Sequence, residues 1–239
     1  AGDGGDDILD GGSGSDAIDG GAGNDVIAGG LGEDTAQGGS GDDLFIAVVG
    51  DGDDAYDGGE GIDTYDASQT AGGVRIDLGA LTASGIEIGD DVIADFENAT
   101  GGSGNDIVVA SSLVNLLSGG GGDDIFVFPS AVSAGMGSSG RDRILDFAVG
   151  DRIDLDDMGN GFEEEFNDIF SDPGIRKFVV VAQGQEFSRP GEIRMKYEDR
   201  EGAEATVLEG NIARDADVDF EIALTGSYDF RDEDLYWRT

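Results

Sequence analysis

The chain contains no cysteine and no histidine. Without cysteine it has no disulfide framework, no thiolate zinc site and no cysteine nucleophile. Without histidine it lacks the zinc sites of common metalloproteases, the serine–histidine–aspartate triad and the commonest general base. No apolar run approaches the roughly 18 residues that a transmembrane helix needs. Several common routes to catalysis and to membrane insertion are therefore excluded.

Basic residues are also scarce, with 13 Lys and Arg against 53 Asp and Glu, which gives a net charge of −40. Self-repulsion of this magnitude destabilises a compact chain that has no counterions. It argues against a nucleic-acid partner, because phosphate binding needs basic patches. The 44 glycines would by themselves suggest a flexible segment.

The chain contains a nine-residue sequence motif that is repeated five times in strict register between Gly2 and Ile46. The copies read GDGGDDILD, GGSGSDAID, GGAGNDVIA, GGLGEDTAQ and GGSGDDLFI. The first six positions are rich in glycine, which tolerates positive φ, and they end in aspartate. The last three positions form a short strand whose middle residue is apolar. These eighth-position residues are Leu9, Ile18, Ile27, Ala36 and Phe45.

Such a short strand cannot bury its apolar residue alone, so the repeats must stack, two to a flattened coil. Each turn then lies on the turn two repeats later, which brings Asp25 near both Asp7 and Asp43, and Asp16 near Asp34. Stacked carboxylates repel each other unless a cation lies between them. Carboxylate and carbonyl oxygens are hard ligands that suit Ca²⁺. Five copies in register make the alternative, a flexible Gly/Asp segment, improbable.

The nonapeptide resembles the calcium-binding repeat of RTX proteins. The resemblance implies an all-β fold, a right-handed parallel β-roll with the eighth positions inside, and several Ca²⁺ ions whose shells turn carbonyls complete. The predicted carboxylate ligands are Asp7, Asp16, Asp25, Asp34, Asp43, Asp54, Asp63, Asp106 and Asp124. The turn residues predicted beside them are Gly2, Gly4, Gly11, Ser13, Gly14, Gly20, Ala22, Gly23, Gly29, Leu31, Gly32, Gly38, Ser40, Gly41, Gly58, Gly61, Gly101, Gly104, Gly119 and Gly122.

The repeat continues with interruptions. After the insertion of Ala47 and Val48 come a degenerate copy, VGDGDDAYD, and a good one, GGEGIDTYD, which ends at residue 66. A second run, GGSGNDIVV, ASSLVNLLS and GGGGDDIFV, spans 101–127. Asn115 stands where its copy should have aspartate, so we expect no strong site there. Asp106 and Asp124 fall on one edge and are expected to share an ion.

We predict four regions: a first repeat run at 1–66, an irregular continuation of the roll at 67–100, a second run with the last coils at 101–155, and a C-terminal β cap at 156–239. The segment 141–155 resembles the end of the roll in serralysin-type RTX proteins. Within the cap, the pattern predicts one short helix at 161–170. It also predicts four antiparallel strands at 177–183, 192–198, 205–212 and 218–226.

The C-terminal residues Asp232–Trp237 are acidic and then apolar. They resemble the uncleaved export signal of proteins that pass through type I secretion systems. The alternative is that Leu235–Trp237 simply pack on the cap. Because the chain begins inside a repeat, we expect it to be the C-terminal piece of a longer protein.

The favoured function is a non-catalytic, calcium-responsive folding and secretion module of a larger extracellular protein, with any catalytic domain upstream. The type I secretion apparatus would be its partner during export, with no nucleic acid and no membrane insertion. An alternative is a structural surface-layer, adhesin or carbohydrate-binding module that contacts polysaccharide or a cell surface through the cap or the 67–100 segment. A third reading, an enzyme with paired carboxylates, has little support, because so many acidic residues make pairs inevitable.

Overall fold

The computed structural model describes residues 1–137, 140–155, 179–181, 183, 185–188, 191–200, 203–212 and 217–236. In these residues, 21 short strands form two sheets, and the helical structure is limited to α1 (Ala131–Ala134) and a 3₁₀ turn at Asp232–Asp234. The predicted all-β class is confirmed. None of the described helices is long and apolar enough to cross a membrane.

Strands from successive repeats alternate between the two sheets. The first sheet has the spatial order β1 (Ile8–Asp10), β3 (Val26–Ala28), β5 (Leu44–Ile46), β7 (Thr64–Asp66), β11 (Asn98–Thr100), β13 (Leu116–Ser118), β15 (Asp142–Ile144), β20 (Phe220–Thr225), β19 (Ala203–Asn211), β18 (Glu192–Arg200) and β17 (Val179–Val181). The second sheet has the order β2 (Ala17–Ala22), β4 (Thr35–Ser40), β6 (Ala55–Glu60), β10 (Gly89–Ala94), β9 (Thr82–Gly85), β8 (Val74–Asp77), β12 (Ile107–Val109), β14 (Ile125–Val127), β16 (Arg152–Asp154) and β21 (Leu235–Tyr236).

The parallel register advances by one coil, which is two repeats. Leu9 lies beside Ile27, and Ile18 lies beside Ala36. The eighth-position side chains fill the space between the sheets, where Ile27, Ala36 and Phe45 are almost completely buried. Each three-residue strand is therefore stabilised by stacking, as the repeat pattern predicts.

Close stacking of the turns explains the glycine at the fourth position of each repeat. Gly23 has φ of 127°, a region that side chains rarely adopt. A Cβ atom at Gly23 would also collide with the backbone of Gly5 in the turn above. Alanine there would both strain the backbone and separate the coils.

The 67–100 segment enlarges one sheet only. β8, β9 and β10 form a meander in the second sheet, with β9 antiparallel to both neighbours. In the first sheet, β7 pairs directly with β11. The meander buries Val74, Ile76 and Ile93 in the common core, so the roll continues through this segment.

At the C-terminal end, β18, β19 and β20 form the predicted antiparallel cap, and β20 pairs in parallel with the roll strand β15. The cap is therefore a continuation of the first sheet. The first predicted cap strand contains β17, which pairs in parallel with β18, so the prediction that all four cap strands are antiparallel is wrong for this strand. The predicted helix at 161–170 lies outside the described residues. Leu235 of β21 is buried beside Ile153 of β16, which ends the second sheet.

Candidate calcium sites

The sixth-position aspartates form a ladder along each edge of the roll. Oδ1 of each one accepts a hydrogen bond from the backbone N–H of the ladder residue one coil earlier. On the first edge the donor–acceptor distances are 2.8 Å from Asp7 to Asp25, 2.7 Å from Asp25 to Asp43 and 2.7 Å from Asp43 to Asp63. On the second edge they are 2.7 Å from Asp16 to Asp34, 2.8 Å from Asp34 to Asp54 and 2.8 Å from Asp106 to Asp124. The structure therefore brings together the pairs that the repeat spacing predicts.

The second carboxylate oxygen of most ladder aspartates has no protein partner. Within the described part of the chain, Oδ2 is buried and without a hydrogen bond in Asp7, Asp16, Asp25, Asp34, Asp43 and Asp63. A buried, unsatisfied carboxylate oxygen is costly unless it is paired with a cation or a proton. A row of such oxygens is the arrangement expected of metal half-sites.

A backbone carbonyl approaches the same space. A Cβ atom built on Gly20 would collide with Asp25 Oδ2. It would also lie 2.5 Å from the carbonyl oxygen of Gly38 in the next turn. The same relationship holds at Gly2, between Asp7 and the Gly20 carbonyl. No three acidic side chains of the described residues converge on one point. Backbone carbonyls must therefore complete any cation shell, and a set of hard oxygen ligands suits Ca²⁺.

Two family models together match most of the chain. The model of the peptidase M10 serralysin C-terminal region matches residues 54–236, and that of the RTX calcium-binding nonapeptide repeat (4 copies) matches residues 1–36, 19–50 and 29–65. The chain belongs to the peptidase M10 serralysin C-terminal family. Its nonapeptides are RTX repeats, which bind calcium.

Two solved structures are similar to this serralysin C-terminal domain at 19% identity. They are solution structures of the R3 and R2 subunits of AlgE6, a mannuronan C5-epimerase from Azotobacter vinelandii. They cover 94% and 80% of this chain and 82% and 83% of their own, with TM-scores of 0.37 and 0.38. No curated protein sequence matches this chain.

The predicted turn residues of the RTX repeats fall into three groups. The first-position glycines lie against the carboxylate of their own repeat: Gly2, Gly11, Gly20, Gly29, Gly38, Gly58, Gly101 and Gly119. Third-position residues pair across coils: Gly4 with Ala22, Ser13 with Leu31, and Ala22 with Ser40. The fourth-position glycines stack on the turn one coil away: Gly14, Gly23, Gly32, Gly41, Gly61, Gly104 and Gly122.

Burial raises the pKa of two ladder carboxyls, Asp63 and Asp124, when no cation is present. The pKa of Asp63 rises to about 6 and that of Asp124 to about 7, mainly because burial disfavours the charged form. The negative charges of neighbouring carboxylates, Asp43 beside Asp63 and Asp151 beside Asp124, raise both values further. A bound cation would reverse this effect by stabilising the ionised form.

Four ladder members lie outside the regular repeats and were missed by the sequence prediction. Each accepts a hydrogen bond of 2.7–3.0 Å from the backbone N–H of an earlier ladder residue. Asp91 accepts from Asp54, and Glu97 accepts from Asp63. Asp142 accepts from Asn115, and Asp151 accepts from Asp124. Each precedes by two positions an apolar residue that is buried in a strand: Ile93, Ala99, Ile144 and Ile153. That spacing is the signal that could have found them, and the turn of Asp91 also keeps a fourth-position glycine, Gly89.

A second ladder, made by fifth-position side chains, runs in the opposite direction along the first edge. Asp6 Oδ1 accepts from the N–H of Asn24 at 2.8 Å, and Asn24 Oδ1 accepts from Asp42 at 2.9 Å. Asp42 Oδ1 in turn accepts from Ile62 at 2.9 Å. These exposed bonds connect the same turns as the buried ladder but require no cation. They fix the spacing between coils that the candidate metal sites need.

Proposed function

We propose that this domain is a non-catalytic module that folds in response to calcium at the C-terminus of a larger extracellular protein. The supporting observation is the row of buried carboxylate oxygens without protein partners, in a chain of net charge −40. Where calcium is scarce, repulsion among these groups opposes the roll. Where calcium is abundant, each ion supplies the missing partner, so its binding free energy becomes folding free energy.

The calcium affinity that this role requires is modest. Extracellular calcium modules bind with dissociation constants of about 10⁻⁴ to 10⁻³ M, which lie between typical intracellular and extracellular calcium levels. A chain with such sites stays unfolded during synthesis and folds after export. This supports the type I secretion apparatus as the partner, because threading requires an unfolded chain.

The C-terminal residues agree with export before folding. Leu235 is buried in the last strand of the second sheet, where it pairs with Ile153. We infer that a signal at Asp232–Trp237 is accessible to the export apparatus only while the chain is unfolded. Calcium-driven folding outside the cell would then bury part of the signal.

The alternative carbohydrate-binding role has less support. Sugar-binding faces commonly present aromatic side chains, and Tyr197, at 44% exposure, is the only strongly exposed aromatic residue among the side chains that the structure describes.

Catalysis by paired carboxylates has no better basis, because the ladder carboxylates are already bonded to backbone N–H groups. We therefore place any catalytic activity upstream of this domain.

The test is circular dichroism and size-exclusion chromatography of the purified chain in chelator, in Ca²⁺ and in Mg²⁺. We expect a larger chain with a weaker β signal in chelator and a cooperative gain of β structure in Ca²⁺. Mg²⁺ should have little effect, because it requires a tighter octahedral shell. An equal β spectrum and equal size in chelator and in calcium would contradict the proposal.

A further inference from the structure

In the middle of the roll, side-chain donors occupy carboxylate oxygens whose counterparts have no protein partner among the described residues in Asp7, Asp16, Asp25, Asp34, Asp43 and Asp63. The Tyr56 hydroxyl donates to Asp54 Oδ2 at 2.6 Å, while Asp54 Oδ1 accepts from the Asp34 N–H at 2.8 Å. Asp54 therefore has both oxygens satisfied by protein. Asp34, one coil earlier, keeps a buried Oδ2 with no partner among the described residues.

The same substitution occurs in the next coil. The Tyr65 hydroxyl donates to Asp91 Oδ2 at 2.5 Å, and Asp91 Oδ1 accepts from the Asp54 N–H at 3.0 Å. Both tyrosines stand at the eighth position of their repeats, where other copies have an aliphatic residue or phenylalanine. Only a tyrosine at that position has a ring that fills the core and a hydroxyl that donates to the carboxylate ladder.

On the opposite edge, an amide replaces the carboxylate. Asn115 is fully buried, and its Nδ2 donates to the carbonyl oxygen of Glu97 at 2.7 Å and to Ser111 Oγ at 3.1 Å. Its Oδ1 accepts from the Ser111 N–H at 2.8 Å. The turn thus contains a neutral group whose N–H atoms point at the oxygens that a cation would otherwise bind.

We propose that the turns of Asp54, Asp91 and Asn115 bind no calcium, and that these turns interrupt the rows of calcium sites along the two edges of the roll. The proposal rests on the proposed function, because it assumes that the other ladder turns bind calcium. A donor proton and a cation cannot both occupy the same side of one oxygen. The turns of Asp54 and Asp91 consequently keep their ladder contacts when calcium is removed, whereas the N-terminal turns lose theirs.

The first test counts bound Ca²⁺ by native mass spectrometry of the full chain. Tyr56→Phe and Tyr65→Phe keep the rings and remove only the hydroxyls, and Asp25→Asn is the matched control in a turn with a free oxygen. We expect Asp25→Asn to lose at least one ion, and each Phe variant to lose none. Loss of an ion from Tyr56→Phe would overturn the proposal, because it would make the hydroxyl a ligand. A wild-type chain without ions would instead contradict the proposed function.

The second test uses the unmodified chain, so it does not depend on a variant folding. Hydrogen exchange is followed by mass spectrometry in chelator and in calcium. In chelator we expect slower exchange in β6 and β10, which follow Asp54 and Asp91, than in β1 and β3, and calcium should remove most of that difference. Equally fast exchange of all four strands in chelator would overturn the proposal.

Discussion

Asp25 accepts a hydrogen bond from the backbone N–H of Asp7 at 2.8 Å through Oδ1, while its Oδ2 is buried with no partner among the described residues. One side chain therefore does two things. It fixes the register between coils, and it presents a free anionic oxygen to the space between turns. The two roles can be separated by changing the charge without changing the shape.

Asp25→Asn should weaken calcium binding at two neighbouring turns, because Asp25 lies between Asp7 and Asp43 on one edge. Isothermal titration calorimetry should show fewer ions bound and a higher calcium midpoint for folding. Asp10→Asn is the control, since Asp10 is exposed and outside both ladders. If both variants lose the same number of ions, the ladder carboxylates are not the ligands.

The pH dependence of folding should have opposite signs with and without calcium. In chelator, the raised pKa values of Asp63 (about 6) and Asp124 (about 7) mean that their protonated forms stabilise the roll. This contribution is fully present below the unfolded pKa of about 3.9, and it is lost as pH rises through the folded values. In calcium, acid should instead unfold the chain by releasing ions.

Circular dichroism between pH 3 and 8 in both conditions would check this prediction. The β signal should fall with rising pH in chelator and rise with pH in calcium. Curves that change in the same direction would show that the ladder carboxyls do not control folding.

Phe45→Ala should destabilise the calcium-loaded roll by about 3–5 kcal/mol, the usual cost of removing a buried aromatic ring. The Phe45 ring is fully buried, with its centroid 5.4 Å from that of Tyr56 and 5.1 Å from that of Phe96. Ile62→Ala is the control, because Ile62 is 56% exposed and should change stability by no more than about 0.5 kcal/mol. Urea unfolding in excess calcium measures both variants, and similar midpoints for the two would contradict the core assignment.

Arg141→Ala should weaken the junction between the cap and the roll. Its guanidinium group is buried and forms ion pairs of 2.5 Å with Glu198 and 3.3 Å with Glu221, both in the cap. Removing one partner from a fully buried ion pair costs about 3–5 kcal/mol. We expect a smaller loss here, because Glu198 keeps its ion pair with Lys196 at 2.9 Å and Glu221 keeps a hydrogen bond from the Gly137 N–H at 2.7 Å. The control is Arg231→Ala, which loses only exposed pairs. Equal unfolding midpoints would show that the ion pairs do not hold the cap.

Trimming residues 232–239 should stop secretion and also raise the calcium needed for folding. The second effect follows from the structure, because the cut removes strand β21 and the buried Leu235 from the end of the second sheet. Burial of a leucine side chain contributes about 1.5–3 kcal/mol, so the purified protein should still fold in excess calcium. A trimmed protein that is still secreted would place the export signal elsewhere.

Much of this architecture followed from the sequence, because the nonapeptide is a local rule with a fixed period. An apolar eighth position and an aspartate at the sixth predict the strand, its inward face and the partner one coil away. Leu9 beside Ile27 and Asp7 beside Asp25 are direct consequences of that period. Where the period was regular, the sequence alone determined the register of the sheets and the place of the carboxylates.

The tertiary structure decided the features that depend on contacts between distant and irregular segments. The local spacing does not by itself show that Asp91 and Glu97 continue the ladders, because their turns lack most of the repeat glycines and their ladder partners are 34–37 residues away. The hydroxyl of Tyr56 and the amide of Asn115 similarly show their role only in three dimensions. A side chain acts as a donor to a turn only once the coils are stacked, and stacking across irregular segments depends on the whole fold.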